Sequence, residues 1–263
     1  MDEILEQINA AKFKAKIIDS NRDAFDLFRD TCSLIEAAIT EPRDITEPYA
    51  RALDLLFIQA YKSYTAVYFL AVRGHGEDAA TILRRLLEIS LQVCYLAKDY
   101  DERSQRGKNY LAYYWAQVPS LLKLSLDEKM RDRLQDLYKK HQHPLTFDRK
   151  GRANNWWCGT IRNLANRLGL VETYDQDYTF LSQMAHGTTQ GVLVDIRNNR
   201  IEIRSDLMVR EIWVFGVRYM LNVAFEWNNH FNLIDGAGLI ALSNRALSFN
   251  FAKAVNRKLE NGV

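Results

Sequence analysis

The chain is 263 residues long, 48% hydrophobic and 26% charged, with 12 Gly and only 4 Pro. That balance excludes a disordered chain, and so few turn-formers argue for long helices over an all-β fold. With 35 basic against 33 acidic residues the net charge is +2, which excludes a general field steering the protein onto nucleic acid or an anionic membrane, though not a local basic patch.

In chain order, residues 2 to about 40 follow a helical pattern, broken at Asp19-Ser20-Asn21, whose short polar side chains suit an N-cap. Pro42 and Pro48 bound a linker. A long helix is predicted from about Glu47 to Arg73, ended by the breaker Gly74-His75-Gly76, and a third from Glu77 to about Lys98. The next, Glu102 to Leu124, is kinked or divided by Pro119. Ser125 and Glu128 have capping-box spacing, so a further helix is expected to about His141, where His143-Pro144 stops it. A polar loop with Arg149, Lys150 and Arg152 leads to Trp156-Trp157 and a helix to Leu168, with Gly169 as its C-terminal glycine.

Another helix runs from about Tyr174 to His186-Gly187. Alternating residues on either side of Asn198-Asn199 predict one small β-hairpin near residues 192–204. Ser205-Asp206 opens a long helix to about His230, and Gly236 and Gly238 separate it from a terminal helix reaching about Leu259. The expected fold is all-α, a multi-helix bundle of long helices with that one hairpin. Length fits a single helical domain over residues 1–263, in which residues 1–45 are the part best able to stand off as a peripheral N-terminal arm.

The opening Met-Asp-Glu is not followed by a basic segment leading into an apolar stretch, and the most apolar stretches are interrupted by Lys62 and Glu88. No secretory signal and no membrane span are expected, which makes the cytoplasm the default location. Cys32, Cys94 and Cys158 are far apart and outside any metal-ligand spacing, so they read as reduced thiols. The five histidines, His75, His141, His143, His186 and His230, make no ligand pattern with nearby acids, and no glycine-rich phosphate loop occurs. No metal and no cofactor is expected.

Two groups of polar residues stand where a helical core has little room for them. Ile82 through Leu96 is apolar all round, as in a central helix, yet holds Arg84, Arg85 and Glu88. Arg84 and Glu88 are four apart and can pair directly. Interior charges cost several kcal/mol per ion unless paired, on the order of the penalty measured for buried ions, so the expectation is either a structural pair fixing helix register or an anion-binding arginine beside a carboxylate acting as acid or base. In the second group Tyr178, Ser182 and His186 recur at four-residue spacing on one helix face. His186 would sit in the last turn, where the helix dipole favours imidazolium, either as part of a site or as a simple cap, and Ser182 could equally bond back to its own helix. A serine-hydrolase triad is excluded, since no third group orients the pair. Trp157, after the basic loop, is a stacking platform for bases or, more simply, an anchor onto the core.

The run from Tyr61-Lys62-Ser63 through Gly76 to Arg84-Arg85-Leu86-Leu87-Glu88, with the later Trp157 and the pattern Tyr178-x-x-Leu181-Ser182-x-x-x-His186-Gly187, resembles the bacterial family known as domain of unknown function 5677. The resemblance covers about the middle two-thirds of the chain and implies a helical fold in which the Arg-x-x-x-Glu helix and the Ser-x-x-x-His-Gly element recur together. It implies no activity, substrate or cofactor. The helical HEPN ribonucleases and toxins place a histidine five to seven residues after an arginine, and none of the five histidines here follows an arginine at that spacing.

Two functional readings follow. The first is a helical binding or interaction protein, homo-oligomeric as a dimer, in which Arg84, Glu88 and His186 form a buried network taking a small anionic ligand with Arg85, Tyr178, Ser182 and Trp157. The alternative is an enzyme acting on a phosphate-containing substrate or RNA, HEPN-like in chemistry, with Glu88 or His186 handling protons.

Overall fold

The computed structural model describes residues 2–118, 122, 127–141, 155–157, 159–185, 196–197, 200–201 and 208–249. The protein is all-α. In chain order come α1 (Asp2–Ser20), α2 (Arg22–Ile39), α3 (Pro48–Ala71), α4 (Gly76–Ala97), a 3₁₀ turn (Tyr100–Glu102), α5 (Arg103–Tyr113), a second 3₁₀ turn (Tyr114–Gln117), α6 (Glu128–His141), α7 (Ile161–Arg167) and α8 (Val171–Ala185). Then come β1 (Ile196–Arg197) and β2 (Arg200–Ile201), followed by α9 (Val209–Phe231) and α10 (Gly236–Ser248). The two short strands pair antiparallel with Ile196 opposite Ile201 and Arg197 opposite Arg200. That is less than the hairpin expected over 192–204, whose other residues lie outside the described ones.

Local chemistry explains most boundaries. Asn21 separates α1 from α2, but its side chain does not cap α2; its amide donates back to the Ile17 carbonyl at 2.9 Å. At the start of α6 it is Asp127 that accepts from the Met130 amide at 2.9 Å; Ser125, the expected cap, lies outside the described residues. Thr160 caps α7 by accepting from the Asn163 amide, and Gly169 beyond it takes the left-handed φ of 73° that a C-terminal glycine supplies. Asp235 caps α10 through the Ala237 and Gly238 amides. α10 ends at Ser248 with Phe249 extended, and the Ser248 hydroxyl bonds the Arg245 carbonyl; the rest of the stretch predicted to reach about Leu259 lies outside the described residues.

The chain folds as two compact units, one of residues 1–42, 58–90 and 175–263, the other of residues 43–57 and 91–174. In the first, α2 buries a stripe at helical spacing, Ala24, Leu27, Phe28, Thr31, Ile35 and Ala38, and packs against α9 and α10. Leu27 and Ile35 are fully buried, each contributing about 1.5–3 kcal/mol by area removed from water. Phe28 stacks on Tyr64 with ring centroids 4.0 Å apart, and the Tyr64 hydroxyl donates to the Phe28 carbonyl at 3.1 Å. On α9, Gly216 faces the Tyr64 ring, which stands at van der Waals distance, 3.6 Å, from where a Cβ would be. Asp23 pairs with Arg210 at 2.7 Å and Asp30 with Arg245 at 2.8 Å, tying α2 to α9 and α10.

In the second unit, Gly107 of α5 lies directly on the backbone at Pro48 and Tyr49. Arg106, 6% exposed, stacks over Tyr95 at 4.5 Å, donates to the Tyr95 carbonyl at 2.8 Å, and pairs with Asp99 and Glu102. Arg43 grips Asp54 with two hydrogen bonds, at 2.6 and 3.3 Å. Trp156 is wedged against Tyr95, Tyr110 and Trp157, with centroids 5.4 to 5.6 Å away.

Candidate functional site

The candidate residues of the first unit come from α4 and α8. In α4, Leu83, Leu86, Leu87, Ile89 and Ser90 are buried, whereas Thr81 and Arg85 are exposed and Arg84 and Glu88 are in between. The expectation that Arg84, Arg85 and Glu88 are interior charges is therefore corrected. Positions 81, 84, 85 and 88 fall on one stripe of the helix, and that stripe stays in reach of water while the remaining faces pack. The Arg84 and Glu88 side chains keep 26% and 33% of their surface exposed.

Arg84 is nevertheless firmly held. Its guanidinium carbon lies 4.1 Å from the Tyr178 ring centroid, and its Nη2 donates to the Tyr178 hydroxyl. Its Nε stands 3.5 Å from the Glu88 carboxylate, and Arg84 acts on that carboxylate through both Coulombic attraction and hydrogen bonding. Burial pushes the Glu88 carboxyl above its ordinary value, against the pull of Arg84 and Arg85. The result is a cation laid on an aromatic face beside a carboxyl that protonates more readily than usual.

Ser182 follows Tyr178 by one turn on the same face of α8. Its hydroxyl does not bond back to the helix; Oγ is buried and has no hydrogen-bond partner among the described residues. His186, four residues further in sequence, lies outside the described residues, so the structure brings together Arg84, Glu88 and Tyr178, with Ser182 next along α8, and leaves Arg85 on the exposed side. Trp157 belongs to the second unit. It is 9% exposed, packs edge-on to Trp156, and its carbonyl accepts from Arg167 at 2.7 Å, an anchoring arrangement. Arg149, Lys150 and Arg152 lie outside the described residues.

Sequence reasoning missed a second polar group on α8. The Asp177 carboxylate accepts from the Tyr219 hydroxyl at 2.7 Å. Burial pushes both groups above their ordinary values, that of Tyr219 far above, and it lowers the neighbouring Arg218. The signal available was an acid in mid-helix next to a candidate tyrosine. Among the described residues, no cluster of three or more His, Cys, Asp or Glu side chains is placed to hold a metal ion. Cys32 and Cys94 are not in a disulfide, and burial, with Glu36 adding to it, pushes the Cys32 thiol up to about 12. Among the described residues no helix is long and apolar enough to cross a membrane.

These features define an all-α protein with a half-exposed arginine, carboxylate and tyrosine network between two of its helices. The model of the Family of unknown function (DUF5677) matches residues 51–203, more than half of the chain, and includes every residue of that network. The protein belongs to this family. Neither a curated protein nor a solved structure matches it.

Proposed function

We propose that this protein is a helical binding protein whose α4 and α8 network receives a small anionic, phosphate-bearing ligand. The observation that carries the reading is the setting of Arg84: a guanidinium fixed by stacking on Tyr178, with about a quarter of its side chain open to solvent. An arginine whose orientation is already fixed loses less entropy when an oxyanion docks than a free surface arginine does. Ser182 stands one turn from Tyr178 on the same face of α8, with its hydroxyl buried, and His186 is the next residue at that spacing. We place the protein in the cytoplasm as a homodimer, which size-exclusion chromatography with light scattering tests.

One observation favours a second reading, in which the same site performs acid–base chemistry on a phosphate-containing substrate or RNA. Glu88 is held above its ordinary value directly beside Arg84, the pairing of proton carrier and anion binder that phosphate chemistry uses.

Thermal unfolding in the presence of inorganic phosphate, AMP and a short oligoribonucleotide separates the cases. The binding reading expects a phosphate-bearing compound to raise the melting temperature of the natural protein and not that of Arg84→Gln. Cleavage of the oligoribonucleotide, lost in Glu88→Gln, supports the enzyme. No stabilisation by any of the three, or equal stabilisation of Arg84→Gln, rules out the site.

A further inference from the structure

Asp177 precedes Tyr178 on α8, and the two are held by different helices. Successive side chains on an α-helix are about 100° apart around its axis, so Tyr178 meets Arg84 on α4 while Asp177 meets Tyr219 on α9. Three residues beyond Asp177, Phe180 meets Phe215 of α9 with centroids 6.0 Å apart, and Phe215 stacks on Tyr219 at the same distance. Asp177 and Phe180 thus form the α9 side of α8, and Tyr178 and Ser182 form another. Ring contacts tolerate sliding. The hydrogen bond is directional, and with Tyr219 only 4% exposed it acts in a low dielectric where direction counts for more. α9 is itself anchored at this level, because Arg218 donates twice to the Ala246 carbonyl of α10, at 3.2 and 3.0 Å.

We propose that the Asp177–Tyr219 hydrogen bond is a positioning contact that fixes the rotation of α8 and so keeps the Tyr178 ring on the Arg84 guanidinium. The proposal rests on reading Arg84, Glu88 and Tyr178 as a ligand site, and it identifies what gives that site its set geometry. A half-buried carboxylate bonded to a buried phenol adds little net stability over a well-packed apolar pair, and the best-attested use of such polar contacts is to specify register. Here register decides whether the arginine is presented or released.

The test needs no ligand, so a failure to bind phosphate leaves its outcome standing. The Arg84 Nε–H resonance of the full chain carries a ring-current shift from Tyr178, and the carbon resonance of the Glu88 carboxyl reports its titration. Tyr219→Phe changes no charge and removes only the donor. The expected result is loss of the ring-current shift, together with a shifted Glu88 midpoint as the guanidinium leaves its place 3.5 Å from the carboxylate. Asp177→Ala repeats the test from the other side of the bond should Tyr219→Phe fail to fold. Asp177→Asn, which leaves Tyr219 an acceptor, is expected to restore the Arg84 resonance. An Arg84 resonance and a Glu88 midpoint unchanged in both Tyr219→Phe and Asp177→Ala overturn the proposal.

Discussion

Arg84 meets Tyr178 twice, through a guanidinium carbon 4.1 Å from the ring centroid and through an Nη2 that donates to the phenol oxygen. Both contacts join residues 94 positions apart, whereas the ion pair with Glu88 stays within one helix. The long-range contact ties α8 to α4, so Tyr178 and Glu88 contribute differently to the fold.

Glu88→Gln is expected to lower stability by under ~1 kcal/mol, the range of partly exposed pairs at helical spacing. Tyr178→Ala should cost more, because it removes the aromatic face, worth ~0.5–2 kcal/mol to a cation, along with the ring's packing. Urea unfolding of the two variants checks the order. A larger loss in Glu88→Gln would show that its carboxylate is a buried structural charge after all.

The pH dependence has a definite sign. The folded Glu88 carboxyl lies above its ordinary 4.5, so its contribution to stability is fully present below that value and is lost as pH rises through the raised folded one. The stability difference between the natural protein and Glu88→Gln should therefore fall with rising pH across that window and then level off. Asp177 behaves alike, starting from 3.8. Asp23 and Asp30 have the opposite sign. Despite partial burial, hydrogen bonds from Arg210 and Arg245 hold them below 3.8, and their contribution is lost as pH falls through the lowered values. Urea midpoints measured across the acid range separate the two groups.

Among the described residues the pair with both partners most buried is Arg43 with Asp54, whose side chains are 14% and 12% exposed. Asp54→Ala removes the carboxylate that accepts two hydrogen bonds from a mostly buried guanidinium and is expected to cost ~3–5 kcal/mol, whereas replacing both residues by apolar ones should recover most of the loss. A double variant no more stable than the single one would contradict this.

Gly107→Ala would place a Cβ 2.6 Å from the Tyr49 nitrogen and 2.7 Å from the Pro48 carbonyl carbon and oxygen. All three are backbone atoms that cannot swing aside. A loss of ~1–3 kcal/mol is expected, the usual cost of overpacking, read as a lower melting temperature.

The helices were largely legible in the sequence because Gly, Pro and the apolar period mark them locally. Gly74 to Gly76 separates α3 from α4, and Gly169 closes α7. Charge placement in α4 was harder. Leu83, Leu86, Leu87 and Ile89 surround the axis so widely that the pattern reads Arg84, Arg85 and Glu88 as interior, whereas they share a narrow stripe within reach of water. The pairing of α4 with Tyr178 was visible only as two patterns occurring in one chain. Asp177 with Tyr219, 42 residues apart, and Arg43 with Asp54, 11 apart across the start of α3, are choices of tertiary partner that no local spacing records.

The most direct measurement is calorimetric titration of the natural protein and of Arg84→Gln with AMP. Saturable binding to the natural protein, at least about tenfold weaker in Arg84→Gln, the equivalent of 1.4 kcal/mol, is the expected result. Equal affinities in the two proteins, or no saturable heat in either, would contradict the assignment of Arg84 as the anion-binding residue.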